Sequence, residues 1–189
     1  DADRCAVAVP ERQFTGDEIG AVLGWDVAFR ATGGTLACSN VSSRLLGKIA
    51  AHHGLGFAET DTGFKWIARV PDLIFGYEEA LGYCVDPQFV ADKDGITACL
   101  RVAEVASKSD LVTLLDDLGE RFGHHLTRQV AVRVERAAGE KVVREIGPDR
   151  VIVRPSGTEP KIKYYYEAVA PTRAEAQARL DRLVADRHP

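Results

Sequence analysis

The 189-residue sequence has no Met, only two Trp and four Cys, and no long hydrophobic run. No apolar stretch approaches the roughly 18 residues that a membrane-spanning helix requires, so no membrane partner is expected. No basic segment followed by an apolar one opens the chain, so no secretory signal is read there and a cytoplasmic location is expected. Basic residues are not in excess. Lys and Arg number 24 against 28 Asp and Glu, a net charge of −4, which gives no reason to expect nucleic acid as a partner. Cys5, Cys38, Cys84 and Cys99 contain no CxxC pair and have no His at zinc-ligand spacing. A chain this long needs no cross-links, so buried free thiols in a reducing compartment are expected. Repeats, low-complexity tracts and any Ser/His/Asp or Cys/His arrangement are also missing. His52-His53 and His124-His125 read as structural or solvated.

What remains is the composition of a soluble globular protein of one or two domains, with 46% apolar and 28% charged residues. Asp1-Ala2-Asp3-Arg4 runs straight into the apolar stretch Cys5–Pro10. A domain rarely opens at such a loop–strand junction, so a fragment is expected. Thr15-Gly-Asp-Glu18 forms a capping box ahead of a helix to about Ala28. Strands at Thr35–Ser39, Phe57–Thr60 and Leu73–Gly76 alternate with a helix capped by Ser42 and Ser43, one turn capped by Thr62, and a helix from Asp94-Gly95 through Val105. This alternation predicts βαβ units around a largely parallel sheet. Beyond a helix near residues 110–118 the pattern changes. Gln129–Glu135 and Lys161–Glu167 alternate with period 2, Val151–Val153 is apolar, and an amphipathic helix spans about Thr172–Ala185. Half-buried antiparallel strands packed on helices make this second unit α+β. The fold class is α/β, a mixed α/β domain followed by a smaller α+β C-terminal domain.

Arg154-Pro-Ser156-Gly157-Thr158-Glu-Pro160 lies between two strands. Its prolines stiffen the loop, and its hydroxyls, guanidinium and turned backbone N–H groups suit a phosphate. A plain hairpin turn is the competing reading; a Walker loop is excluded because Gly-Lys-Ser/Thr and a following helix are missing. Glu78-Glu79 follows an apolar strand, where ligands of parallel sheets gather, and carboxylates accept well from sugar hydroxyls. A solvated acidic turn is the alternative. Lys93 would serve phosphate or proton transfer if it faced the same cavity; Asp94 reads as an N-cap. Asp1 and Asp3 could both offer oxygens to Mg²⁺, although two carboxylates do not complete an octahedron. Thr62, Gly63 and Lys65 add a hydroxyl, a flexible position and a cation, or an ordinary helix start.

Taken in this order, the segments resemble the α-D-phosphohexomutase superfamily of phosphoglucomutases and phosphomannomutases. Asp1-Ala-Asp3-Arg4 is similar to the end of its magnesium loop, Thr62-Gly63-Phe-Lys65 to its Thr-Gly-aromatic-Lys segment, and Glu78-Glu79-Ala80 to its sugar-recognition loop. Asp92-Lys93-Asp-Gly resembles the loop bearing a lysine near the reacting phosphate. Arg154–Thr158 resembles the phosphate clamp, with Lys163 at a basic position beside it.

The resemblance implies four domains, with residues 1–10 ending the second, 11–110 forming the third and 111–189 the fourth. It implies a phosphoryl transfer between the C1 and C6 hydroxyls of mannose or glucose phosphate, through a phosphoserine and a sugar bisphosphate. Lys93 and Arg4 would be catalytic. Thr62, Gly63, Lys65, Glu78 and Glu79 would bind the sugar phosphate, and Arg154, Ser156, Gly157, Thr158 and Lys163 its phosphate. Asp1 and Asp3 would hold Mg²⁺. The phosphoserine segment is not in this sequence, so this chain alone is not expected to catalyse the reaction. Ala80 stands where many relatives have Ser, and the Glu-Glu-Ala, Lys-Asp-Gly and Glu-Pro-Lys-Ile-Lys forms look closer to phosphopentomutase-like members. Pro10–Phe14 and Glu135–Ile146 are shorter than the family leads one to expect. A phosphopentomutase-like enzyme and a non-catalytic sugar-phosphate-binding module are the alternatives.

Overall fold

The computed structural model describes residues 1–135, 139–157 and 159–186. Two compact units divide the chain, residues 1–117 and 118–189.

In the first unit, β1 (Ala8–Val9) and β2 (Arg12–Gln13) form a short antiparallel hairpin. Helix α1 (Gly16–Arg30) starts at the foreseen capping box. The Glu18 N–H donates to Thr15 Oγ1 at 3.2 Å, and the Thr15 N–H donates to Glu18 Oε2 at 2.9 Å. Then follow β3 (Thr35–Ser39), α2 (Leu45–His52), β4 (Gly56–Thr60), α3 (Phe64–Ile67), β5 (Leu73–Glu78), β6 (Gly82–Cys84) and α4 (Gly95–Ala106). The sheet order is β4-β3-β5-β6, parallel except for β6, which runs antiparallel to β5. Leu36, Ala37 and Cys38 of β3 are wholly buried, as expected for a central strand covered on both faces. Ile19, Leu23, Leu46, Ile49, Phe75 and Tyr77 complete this core, each side chain of this kind contributing about 1.5–3 kcal/mol by leaving water.

The division between the units falls within α5 (Leu111–Phe122). The second unit contains β7 (His124–Arg133), β8 (Val142–Ile146), β9 (Asp149–Pro155), β10 (Lys161–Ala170) and α6 (Arg173–Ala185). Its sheet is antiparallel, in the order β7-β10-β9-β8. Side chains alternate across a strand, so Tyr164, Tyr166, Ala168 and Ala170 of β10 share one face. They pack with Leu126, Val130, Val151 and the Ala176, Leu180, Leu183 and Val184 stripe of α6. Arg154, Lys163, Tyr165 and Glu167 occupy the other face, since Arg154 is the cross-strand partner of Lys163.

The first sheet is largely parallel as expected, and the short strand β6, which was not foreseen, folds back antiparallel on β5. Other expectations are corrected. The one-turn helix α3 is not capped by Thr62: Gly63 precedes it with φ +114°, and no side chain caps it. Glu78 instead takes the Gly63 N–H at 2.7 Å, a long-range bond that local sequence does not display. Helix α2 begins at Leu45, whose N–H donates to Ser43 Oγ at 3.2 Å as expected, and the Ser43 N–H itself donates to Asp17 Oδ1 at 2.7 Å. Cys5, Cys38 and Cys84 are buried thiols, but Cys99 is exposed.

Candidate functional site

The carboxyl ends of parallel β3, β4 and β5 are Ser39, Thr60 and Glu78, where an α/β sheet presents its loops to a ligand. The Asp1–Cys5 segment lies against these loops. Its Cys5 N–H donates to the Leu81 carbonyl at 3.1 Å, and its Ala2 carbonyl accepts the Gly95 N–H at 3.1 Å. Gly95 is required for this approach, since a Cβ there would sit 2.3 Å from the Arg4 carbonyl oxygen and 2.7 Å from that of Ala2. The Arg4 guanidinium reaches the Ala80 carbonyl at 2.5 Å.

Lys93 sits at the centre of this corner. Its Nζ is 3.6 Å from Asp3 Oδ2, 3.5 Å from Asp92 Oδ1 and 5.3 Å from the centroid of the Phe64 ring. Its aliphatic stem runs over Gly82, where a Cβ would lie only 2.4 Å from Cδ. Asp3 feels opposed influences. Desolvation raises its pKa, but the Arg4 and Lys93 cations outweigh that and hold it below its ordinary value.

The two neighbouring glutamates are used differently. Glu78 fastens the Thr62-Gly63 turn through the Gly63 N–H. Glu79 turns inward, where Ser39 Oγ donates to Oε2 at 3.2 Å and the Glu79 N–H donates to Ser42 Oγ at 3.2 Å. Burial, and then the charges of Asp17 and Glu78, push the Glu79 pKa up to about 7, against the opposing Ser39 bond. Asp17 is buried beneath this loop and also accepts from the Tyr77 hydroxyl at 2.9 Å. Thr62 is partly buried, while Lys65 is exposed with Nζ 5.2 Å from the Trp66 ring.

The first unit therefore brings Asp3, Arg4, Gly63, Glu78 and Lys93 into one corner with the Ala80 carbonyl. Phe64, Asp17, Ser39 and Ser42 belong to the same corner and escaped the sequence reading. Phe64 was visible only as the aromatic of a Thr-Gly-aromatic-Lys segment, and Asp17 only as a first-turn acid. Asp1 is exposed. Among the described residues no group of three or more His, Cys, Asp or Glu is placed to hold a metal ion. Two carboxylates, Asp1 and Asp3, would leave most of an octahedral Mg²⁺ shell to water and phosphate oxygens.

The second unit presents Arg154 and Lys163 as cross-strand partners on one sheet face. The Arg154 Nη2 donates to the Tyr165 hydroxyl at 3.0 Å, and its Cζ lies 5.5 Å from that ring. Arg154 Nε is buried without a hydrogen-bond partner. The following turn is closed by the Ser156 N–H donating to the Lys161 carbonyl at 2.8 Å. Ser156 is partly buried and Gly157 exposed; Thr158 lies outside the described residues. Lys161 is engaged by Glu159 at 2.7 Å. A guanidinium with a buried, unsatisfied donor beside a second cation is the chemistry of an anion site.

Residues 15–122 match a family model described as phosphoglucomutase/phosphomannomutase, alpha/beta/alpha domain III, and residues 90–185 match the model of the C-terminal domain. The chain belongs to the phosphoglucomutase/phosphomannomutase family. It is 37% identical over 233 residues to a Haemophilus influenzae protein named "Probable phosphomannomutase", covering 98% of this chain and 47% of that protein. It is 32% identical over 255 residues to the Homo sapiens protein named "Phosphopentomutase", covering 90% and 41%. In fold it is similar to pp63/parafusin (phosphoglucomutase) from Paramecium in an open form, with a TM-score of 0.75 at 19% identity, over 98% of this chain and 42% of that one. The chain thus spans about half the length of the curated relatives it matches. Among the described residues, no helix is long and apolar enough to cross a membrane.

Proposed function

We propose that this chain carries the sugar-recognition and phosphate-binding parts of a phosphosugar mutase. The enzyme moves a phosphoryl group between the C1 and C6 hydroxyls of mannose or glucose phosphate, through a phosphoserine supplied by another part of the protein and a sugar bisphosphate. The observation that carries the reading is the corner of the first unit where Lys93, Asp3 and Arg4 meet the Glu78 loop. A phosphoryl transfer asks mainly for positioning and charge neutralisation, and this corner is built from groups that do both.

In this reading Lys93 and Arg4 are the catalytic residues and neutralise the phosphoryl group in transit. Glu78 accepts from sugar hydroxyls, with Thr62, Gly63 and Lys65 shaping that side. Glu79 supports the loop from below through Ser39 and Ser42. Arg154, Ser156, Gly157, Thr158 and Lys163 hold the phosphate that is not transferred. Asp1 and Asp3 would hold Mg²⁺, which supplies further charge neutralisation at the phosphoryl oxygens when bound. Free thiols support a cytoplasmic location.

A pentose phosphate is the second candidate, favoured by the similarity to the human protein named "Phosphopentomutase". Steady-state assays of the complete protein on mannose, glucose and ribose 1-phosphates, with Mg²⁺ and a hexose bisphosphate, test both readings. The first expects a hexose phosphate to turn over fastest. Preference for the pentose supports the second, and conversion of none of the three contradicts the mutase assignment.

A further inference from the structure

We propose that Tyr165 is a positioning residue that aims the Arg154 guanidinium at a phosphate dianion, an inference resting on the reading of Arg154 and Lys163 as phosphate ligands. Three tyrosines stand in a row at 164–166 in β10, and the strand separates them. Tyr164 and Tyr166 stack on the α6 face with centroids 6.3 Å apart. Tyr165 alone lies on the opposite face, two residues from Lys163, the cross-strand partner of Arg154.

Tyr165 is only 5% exposed, and a buried tyrosine hydroxyl needs a hydrogen-bond partner. It accepts from Arg154 Nη2 at 3.0 Å, and its ring lies 5.5 Å from the guanidinium carbon. An arginine side chain carries many rotamers, and fixing its planar fork before a ligand arrives lowers the ordering cost of binding. The remaining donors are what make this positioning rather than mere satisfaction. Arg154 Nε has no partner despite its burial, and Nη2 has a second N–H. Were Arg154 a structural side chain, burial would require Nε to be paired as well. Tyr165 thus restrains the fork through one N–H and leaves the others to an anion.

The test titrates inorganic phosphate into the full chain and follows the Arg154 side-chain ¹⁵N–¹H resonances, in the wild type, Tyr165→Phe and Arg154→Lys. The phenylalanine keeps the ring and removes only the hydroxyl. Expected is a Kd weakened roughly three- to tenfold in Tyr165→Phe, with the melting midpoint held, and a larger loss in Arg154→Lys. Loss in Arg154→Lys with wild-type affinity in Tyr165→Phe would overturn the positioning role and leave the phosphate site standing. Unchanged affinity in Arg154→Lys would overturn the phosphate site itself. If Tyr165→Phe is unfolded, the wild type alone decides. Two separate Nη2 proton resonances, the mark of a restrained fork, support the proposal, and a single averaged signal contradicts it.

Discussion

Lys93 and Asp3 form an ion pair across the site, 3.6 Å apart, joining the loop before α4 to the opening segment of the chain. The pair sits on two glycine approaches: Gly82 makes room for the lysine stem and Gly95 for the backbone of Ala2 and Arg4. The lysine also holds the Asp3 carboxyl below its ordinary value, alongside Arg4 and against desolvation. Replacing Lys93 with Met should therefore raise the Asp3 pKa toward 3.8, as read from its carboxyl ¹³C titration. An unmoved titration would mean that the two side chains do not meet in solution.

Gly95→Ala tests the docking of the opening segment. The new Cβ would meet two backbone carbonyl oxygens rather than a yielding side chain, so the segment must move. A loss of about 1–3 kcal/mol in urea unfolding is expected, the usual cost of overpacking. A variant as stable as the wild type would show that Asp1–Cys5 is not held against α4.

Much of the fold was legible because its signals are local. The capping box at Thr15 and Glu18, the Asp94 cap and the period-2 runs of β7 and β10 follow from neighbouring residues alone. An error arose where a distant residue replaced a local one. Glu78 ties down Gly63 across 15 residues, so Thr62 is not needed as a cap. The site shows the same limit. Lys93, Arg4 and Glu78 could be named from motifs, whereas Tyr165 entered only as one member of the period-2 run Lys161–Glu167.

Stability should depend on Glu79. Its pKa is raised in the folded state, so the fold binds a proton that the unfolded chain releases between about 4.5 and 7. Stability is then highest below the ordinary value and falls as pH rises through about 7. The expected span is about 1–3 kcal/mol between pH 4.5 and 8, with Glu79→Gln flattening that part of the urea-midpoint profile. A variant profile parallel to the wild type would remove Glu79 as its source.

Thiol reactivity should separate the four cysteines. Cys99 is exposed, whereas burial pushes Cys5 up to about 12 and Cys84 up to about 11, and thiolate is the reactive form. One fast thiol per native chain is expected with a disulfide reagent, lost in Cys99→Ser. Two or more fast thiols would contradict the buried placement.

The proposal that matters most is that the corner holding Glu78, Arg4 and Lys93 takes a sugar phosphate. Calorimetric titration of glucose 6-phosphate into the full chain and into Glu78→Gln tests it most directly. The substitution should weaken binding by about tenfold, the worth of a hydrogen bond to a charged group, and leave the affinity for inorganic phosphate unchanged. Glucose 6-phosphate affinity unchanged in the variant would contradict the account.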